Sequence, residues 1–157
     1  MEAPTTLSID LDGALRKRKP EKRTAQLVPR ALDHLVHWTE LRTSPLAVLL
    51  DTNIYIHRAA GRLPAPLREI IDQALLFHCS VAIAELAVGV SNADPSRLGW
   101  RAMRDHYAEL FAAIPATRLI APDAQVWADA GVIAGTLART QGFQRHQRNA
   151  CLNDALI

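Results

Sequence analysis

The feature that most constrains this fold is an unbroken run of five apolar residues, 46–50, between Pro45 and Asp51. A run without polar alternation is typical of a strand covered on both faces, as in a parallel sheet. Residues 75–79 predict a second buried strand, and residues 117–120 predict a short third one. Because helical stretches separate these strands, the sequence predicts an α/β fold with a parallel sheet.

Apolar residues at helical spacing fill the intervals between the strands. A short helix through Ile54 is expected to stop near Gly61. Ser80 and Asp123 are expected to be N-caps of helices. The remaining predicted helices cover residues 67–74, 81–90, 96–114 and 124–140, with a final helix beginning at 149 after a loop over 141–148.

The first forty-five residues differ in composition from the rest, since they are polar, basic and punctuated by proline. We expect a mobile arm over residues 1–24 and a short amphipathic helix over 28–40. All three lysines lie within residues 16–23, although the formal net charge of the chain is only +2. Two interpretations of this basic cluster are open: contact with RNA phosphates, or a solvated tail. The predicted division is an N-terminal extension over 1–45 and a domain over 46–157.

Cys79 and Cys151 are too few for a disulfide framework, and their apolar surroundings predict buried, reduced thiols. No apolar stretch approaches the length of a membrane span, and residues 1–12 do not resemble a signal peptide. The sequence therefore predicts a cytoplasmic location.

Three acidic residues occupy positions of interest for catalysis. Asp51 ends the first strand, Glu85 interrupts an apolar run, and Asp154 lies early in the last predicted helix. Each also has a structural interpretation: a helix cap, a narrow exposed stripe, and a favourable charge in a first turn. Active sites in parallel α/β folds lie at the carboxyl ends of the strands, which favours Asp51 as a site residue.

Taken together, these acids resemble the motifs of the PIN-domain ribonucleases. Residues 48–53, Val-Leu-Leu-Asp-Thr-Asn, resemble the opening strand of that family, and residues 84–90 resemble its second motif. Residues 122–139 resemble the long helix of VapC-like toxins, and residues 153–157, Asn-Asp-Ala-Leu-Ile, resemble the third motif. The resemblance covers residues 46–157 and implies a three-layer α/β/α fold with a central parallel sheet.

The resemblance also implies a function. Asp51, Glu85 and Asp154 would be the catalytic, metal-binding carboxylates, with Asn53 orienting Asp51 and Thr52 in support. Clustered carboxylates suit Mg²⁺ or Mn²⁺, which prefer oxygen ligands and activate water for phosphodiester hydrolysis. The expected protein is an endoribonuclease, the toxin of a type II toxin–antitoxin pair, with RNA as substrate, a small antitoxin as partner and a homodimer as a further option.

PIN domains continue past the third motif to another strand, which often carries a fourth acidic residue. The sequence given ends at Ile157, so we expect a sheet that lacks this strand and a domain that is incomplete at its C-terminus. Compact VapC-like toxins also begin almost at the first strand, so the extension over 1–45 departs from the pattern. Two alternatives to a ribonuclease stay open. One is a catalytically inactive PIN-like scaffold that binds RNA or protein, and the other is an inert domain whose nucleic-acid-binding part is residues 1–44.

Overall fold

A computed structural model of the protein describes residues 9–37, 40 and 46–157. These residues form two compact units. The helical unit combines residues 9–29 with Pro122–Leu156, and the sheet unit combines the remaining described residues, from 30 to 121, with Ile157. Each unit is therefore assembled from segments that are distant in sequence.

The sheet unit contains three parallel strands in the order β1-β2-β3, as the sequence predicts. Their bounds are Ala47–Leu50 for β1, Leu75–Cys79 for β2 and Leu119–Ile120 for β3. Leu50 pairs with His78, which in turn pairs with Leu119, so β2 is the central strand. The carboxyl ends of β1 and β2 consequently lie next to each other.

Four helices of the described chain belong to the sheet unit: α2 (Thr52–Ala59), α3 (Ala65–Gln73), α4 (Ser80–Asn92) and α5 (Trp100–Ala112). The first two lie in the connection from β1 to β2, and α4 continues directly from β2. Gly61, at φ 65°, follows the end of α2, because glycine adopts the left-handed conformation without steric cost. Helix α4 packs against α2, α5 and β2, which makes it the centre of this unit.

Burial in the sheet unit differs from the expectation of a strand covered on both faces. Along β1 the exposure alternates, with Leu50 buried and Leu49 38 % exposed. This alternation is the pattern of a strand packed on one face. The buried apolar residues of the unit are Leu50, Tyr55, Leu63, Ile71, Cys79, Val81, Ala82, Leu86 and Tyr107.

The helical unit contains α1 (Leu11–Arg18), α6 (Ala124–Gln141) and α7 (Arg145–Leu156). Helix α6 packs against both α1 and α7. Asp123 caps α6 as predicted, because its Oδ1 accepts a hydrogen bond from the backbone amide of Val126 at 2.8 Å. Within the described ranges, no helix has both the length and the apolar composition needed to cross a membrane.

The described residues of the N-terminal extension differ from the sequence analysis in two places. The segment predicted as a mobile arm contains α1 and a 3₁₀ turn at Pro20–Lys22, both packed on α6. The amphipathic helix predicted over 28–40 is reduced to a 3₁₀ turn at Leu32–His34 among the described residues, with Leu32 85 % exposed. Apolar spacing does not produce a helix when no surface covers the apolar face. Residues 1–8, 38–39 and 41–45 of the predicted extension lie outside the described residues.

Three predicted helix starts are also wrong. Helix α4 includes Ser80 as its first residue, so Ser80 is not the N-cap. Helix α5 begins at Trp100 rather than at residue 96, because Gly99 adopts φ 91° and interrupts the helical conformation. Helix α7 begins at Arg145, within the segment predicted as a loop, because polar residues there form its exposed first turns.

Candidate functional site

Asp51 lies between β1 and α2, at the carboxyl end of the strand. It occupies the N-cap position of α2, yet its side chain makes no capping hydrogen bond. Instead its Oδ2 accepts a hydrogen bond from Asn53 Nδ2 at 3.2 Å, and the carboxylate is exposed. The structural interpretation of Asp51 as a capping side chain therefore does not apply, and its carboxylate is oriented by an amide.

Glu85 lies on α4, and its side chain is half-buried rather than on a fully exposed stripe. Thr52 Oγ1 donates a hydrogen bond to Glu85 Oε2 at 2.5 Å. Thr52 is the first residue of α2, so this hydrogen bond joins the start of that helix to α4. Charge-assisted hydrogen bonds of this kind fix the rotamer of a carboxylate.

In the sheet unit these side chains form two hydrogen-bonded pairs, Asn53 with Asp51 and Thr52 with Glu85, and we call the four residues the acidic cluster. Thr52, which donates to Glu85, directly follows Asp51 in the sequence. The two pairs are therefore connected through the backbone between Asp51 and Thr52. The cluster stands at the carboxyl ends of β1 and β2, where parallel α/β folds place their active sites. These four residues are ones that the sequence motifs single out.

A buried pair behind the cluster was not predicted from the sequence. The Tyr55 hydroxyl lies 2.6 Å from His78 Nδ1, and both side chains are buried. Burial lowers the pKa of His78, with a contribution from the charge of Arg118, which favours the neutral imidazole. Burial also raises the pKa of Tyr55 to about 12, with a contribution from Cys79. The sequence signal was available, since His78 is the one polar residue of β2.

This pair anchors α2 to the central strand. Tyr55 lies one turn after Thr52, so one helix carries both the contact to β2 and the contact to Glu85. Two contacts on successive turns restrict rotation of α2 about its axis. The position of the acidic cluster relative to the sheet is therefore fixed by packing and by hydrogen bonds.

Asp154 lies on α7 of the helical unit, where it is exposed. It contributes to the lining of a cavity of about 720 Å³ within that unit, together with Leu27, Ile133 and Leu137. Burial raises the pKa of the neighbouring Cys151, and the charge of Asp154 adds to this effect. Within the part of the chain that the structure describes, no group of three or more His, Cys, Asp and Glu residues could hold a metal ion.

The acidic cluster nevertheless offers the donor chemistry of a magnesium site. Mg²⁺ is bound in many enzymes by one or two carboxylates, with water and substrate phosphate completing its coordination. Asp51 and Glu85 supply two carboxylates, each oriented by a neighbouring side chain. Oriented oxygen donors of this type fit a hard divalent cation better than a soft one.

Comparisons with protein-family models, with curated proteins and with solved structures found no match for this chain. No family is therefore assigned by similarity. Among the described side chains, the acidic cluster contains two hydrogen bonds that each end on a carboxylate. Its two carboxylates and their two supporting side chains come from segments more than thirty residues apart in the sequence.

Proposed function

We propose that this protein is a metal-dependent endoribonuclease of the PIN class, with a three-layer α/β/α fold and Mg²⁺ or Mn²⁺ as cofactor. The observation that supports the proposal is the acidic cluster, in which Thr52 and Asn53 orient Glu85 and Asp51. Side chains held in this way are typical of metal sites, where outer hydrogen bonds set the direction of each ligand. The resemblance of three sequence motifs to PIN domains adds the substrate class, RNA.

In this proposal, the side chains of the cluster have distinct roles. Asp51 and Glu85 bind the cation through carboxylate oxygens, Asn53 limits rotation of Asp51, and Thr52 holds Glu85. A bound divalent cation supplies a water of lowered pKa and neutralises charge on the phosphate. The resemblance implies Asp154 as a third carboxylate, and the variant Asp154→Asn tests its contribution.

The biological setting follows from the same resemblance. We infer a cytoplasmic toxin of a type II toxin–antitoxin pair, silenced by a small antitoxin protein and able to form homodimers. A toxin that cleaves cellular RNA has to be held inactive during growth, which gives the antitoxin its role. Co-expression with the product of a short neighbouring gene tests this part, since an inhibitor should restore growth and co-purify.

Cleavage of labelled RNA tests the enzymatic proposal directly. We expect folded protein to cleave RNA in Mn²⁺ and to lose this activity in EDTA. Asp51→Asn and Glu85→Gln keep the size of each side chain but remove its charge, and each should lower the cleavage rate about a hundredfold or more. Asp154→Asn should lower it as well if Asp154 belongs to the site.

Glu109→Gln is the matched control, since Glu109 is an exposed carboxylate on α5 of the same unit. This variant should cleave RNA at the wild-type rate. Equal rates in wild type and Asp51→Asn would assign the activity to a contaminant. A folded protein that is inactive in every metal tested would favour the alternative of an inactive scaffold. That alternative is consistent with the described residues, among which no group of three or more His, Cys, Asp and Glu side chains could hold a metal ion.

A further inference from the structure

The helical unit carries an unusual density of positive charge on an ordered scaffold. Six of the eight residues 16–23, which we call the basic segment, are lysine or arginine, and the one acid is Glu21. The segment covers the end of α1, the left-handed Lys19 and the 3₁₀ turn Pro20–Lys22. Five of its cations are exposed and make no ion pair with any described residue: Arg16, Lys17, Lys19, Lys22 and Arg23.

The basic segment is held on α6 at its C-terminal end, and α1, which leads into the segment, is held on α6 at its start. At the start of α1, Asp10 N donates to Gln125 Oε1 at 2.7 Å, and Gln125 Nε2 donates to Asp10 O at 3.3 Å. At the other end, Arg139 Nη2 donates to the carbonyls of Pro20 at 2.7 Å and Arg23 at 3.1 Å. Both partners lie on α6. The interpretation of residues 16–23 as a solvated tail therefore does not hold.

The use of Arg139 has an electrostatic consequence. Its guanidinium adds a seventh positive charge beneath a segment that already carries six. Like charges at this density repel one another, and only Arg18 has an acidic partner among the described residues, Asp129 at 3.8 Å. A polyanion that neutralises several of these charges at once would relieve the repulsion and release its own counterions.

Lys19 provides a second, independent observation. It has φ 49° and ψ 57°, and it is the one non-glycine residue with positive φ in the described ranges. This position, directly after a helix, is where glycine or asparagine is preferred. A lysine in this conformation is strained, and strained residues of this kind are concentrated at binding sites. The strain points to a role for the lysine side chain itself.

Arg18 provides a third observation. Its Nε atom is buried and has no hydrogen-bond partner among the described residues. Arg18 contributes with Lys22 and Arg23 to the lining of a cavity of about 380 Å³ in the helical unit, where Leu27 and Leu137 are also found. A buried donor without an acceptor is costly, and phosphate oxygens or base carbonyls supply acceptors. The apolar part of the lining offers a surface for the flat face of an unpaired base.

We propose that the basic segment and this cavity bind single-stranded RNA through its backbone phosphates, independently of the acidic cluster. The choice of RNA rests on the proposed function, whereas the contacts themselves follow from the charge, the strain and the cavity. Binding of this kind is largely independent of base sequence, because phosphates carry the contact. It would hold the substrate on the helical unit whether or not the chain cleaves it.

Fluorescence anisotropy with a labelled twelve-nucleotide RNA, in EDTA to prevent cleavage, tests the proposal. We expect the triple variant Lys17→Gln, Lys19→Gln, Lys22→Gln to bind about tenfold more weakly or worse, and the slope of log affinity against log salt to fall by about 2. The triple variant Arg62→Gln, Arg97→Gln, Arg101→Gln removes three exposed cations from the sheet unit and should bind like wild type.

A second variant separates binding from folding. Lys19→Gly removes the strained lysine and is expected to raise the melting temperature while weakening RNA binding several-fold. Equal affinity of wild type and the lysine triple variant would overturn the proposal, as would binding to anionic phosphatidylglycerol vesicles without binding to RNA. Because the binding assay excludes metal, its result does not depend on whether the nuclease proposal is correct. If the protein cleaves RNA but the lysine triple variant binds RNA as tightly as wild type, only the binding proposal is contradicted.

Discussion

The side chains that hold the two carboxylates are short and polar, and both lie in the first turn of α2. Thr52 and Asn53 each hold one carboxylate, at the start of α2. Such supporting residues do not have to contact a cation to affect it, because they set the direction of the ligand that does. At the residue scale, the acidic cluster therefore depends on two hydrogen bonds as much as on two charges.

Thr52→Val tests this dependence, because it keeps the side-chain shape and removes the hydroxyl that Glu85 accepts from. We expect Mn²⁺ affinity to fall about 10–100-fold with the fold retained. Isothermal titration calorimetry measures the affinity. Thr136→Val is the matched control, since it removes a hydroxyl that donates to the Val132 carbonyl in α6. Equal affinity in both variants would show that Thr52 does not position a metal ligand.

His78 predicts a loss of stability in acid. Burial, with help from Arg118, lowers the pKa of His78 below its ordinary value of 6.5. The unfolded chain then binds the proton more readily than the folded chain, so stability is full above pH 6.5 and falls as the pH decreases toward the folded pKa. Urea unfolding at pH 7 and pH 5 should show a smaller difference for His78→Gln than for wild type. The exposed His57→Gln should behave like wild type, and an unchanged difference in His78→Gln would contradict this account.

At the scale of single elements, α1 shows how local rules and their exceptions combine. Asp10 caps the helix, since its Oδ1 accepts from the Gly13 amide at 2.7 Å, while three basic residues occupy the last turn. Both features suit the helix dipole. The left-handed Lys19 that follows is the exception, because a side chain at this conformation costs about 1 kcal/mol.

Lys19→Gly should therefore raise the free energy of unfolding by about 1 kcal/mol, because glycine adopts positive φ without strain. Lys17→Gly is the matched control inside α1, where it should lower the free energy of unfolding by a similar amount. Chemical denaturation of the two variants measures both values. Destabilisation by Lys19→Gly would mean that the lysine side chain contributes contacts that outweigh the strain.

The elements that the sequence predicted best are those in which composition and capping agree. The runs at 46–50 and 75–79 became β1 and β2, and Asp123 caps α6. The differences have physical causes: Gly99 delays the start of α5, and the apolar side chains of the described residues 28–36 are exposed rather than packed. A local sequence pattern indicates which secondary structure a segment can adopt. Whether the segment adopts it depends on the surfaces that pack against it.

At the scale of the whole molecule, the division into two units was outside the reach of sequence patterns. The helical unit joins residues 9–29 to a segment that begins at Pro122, through hydrogen bonds such as those of Gln125 with Asp10 and Arg139 with Pro20. These pairs are more than a hundred residues apart, and nothing in either segment indicates the other. The predicted boundary at residue 45 was based on the change in composition near Pro45 and on the extent of the motif resemblance, residues 46–157.

The residues of the acidic cluster were easier to predict from the sequence than the division of the chain into two units. The motifs singled out Asp51, Thr52, Asn53 and Glu85. The structure pairs Asn53 with Asp51 and Thr52 with Glu85 by hydrogen bonds, and their catalytic role stays a proposal. The pair of Tyr55 and His78 was missed because a histidine in an apolar strand gives no indication of its partner. Asp154 belongs to the helical unit, and its role also stays a prediction.

Binding of Mn²⁺ to folded wild-type protein, followed by electron paramagnetic resonance, tests the central claim most directly. We expect saturable binding that Asp51→Asn and Glu85→Gln each weaken about tenfold or more, while Glu109→Gln leaves it unchanged. Wild-type protein that binds no Mn²⁺, or variants of Asp51 and Glu85 that bind it as tightly as wild type, would contradict the account.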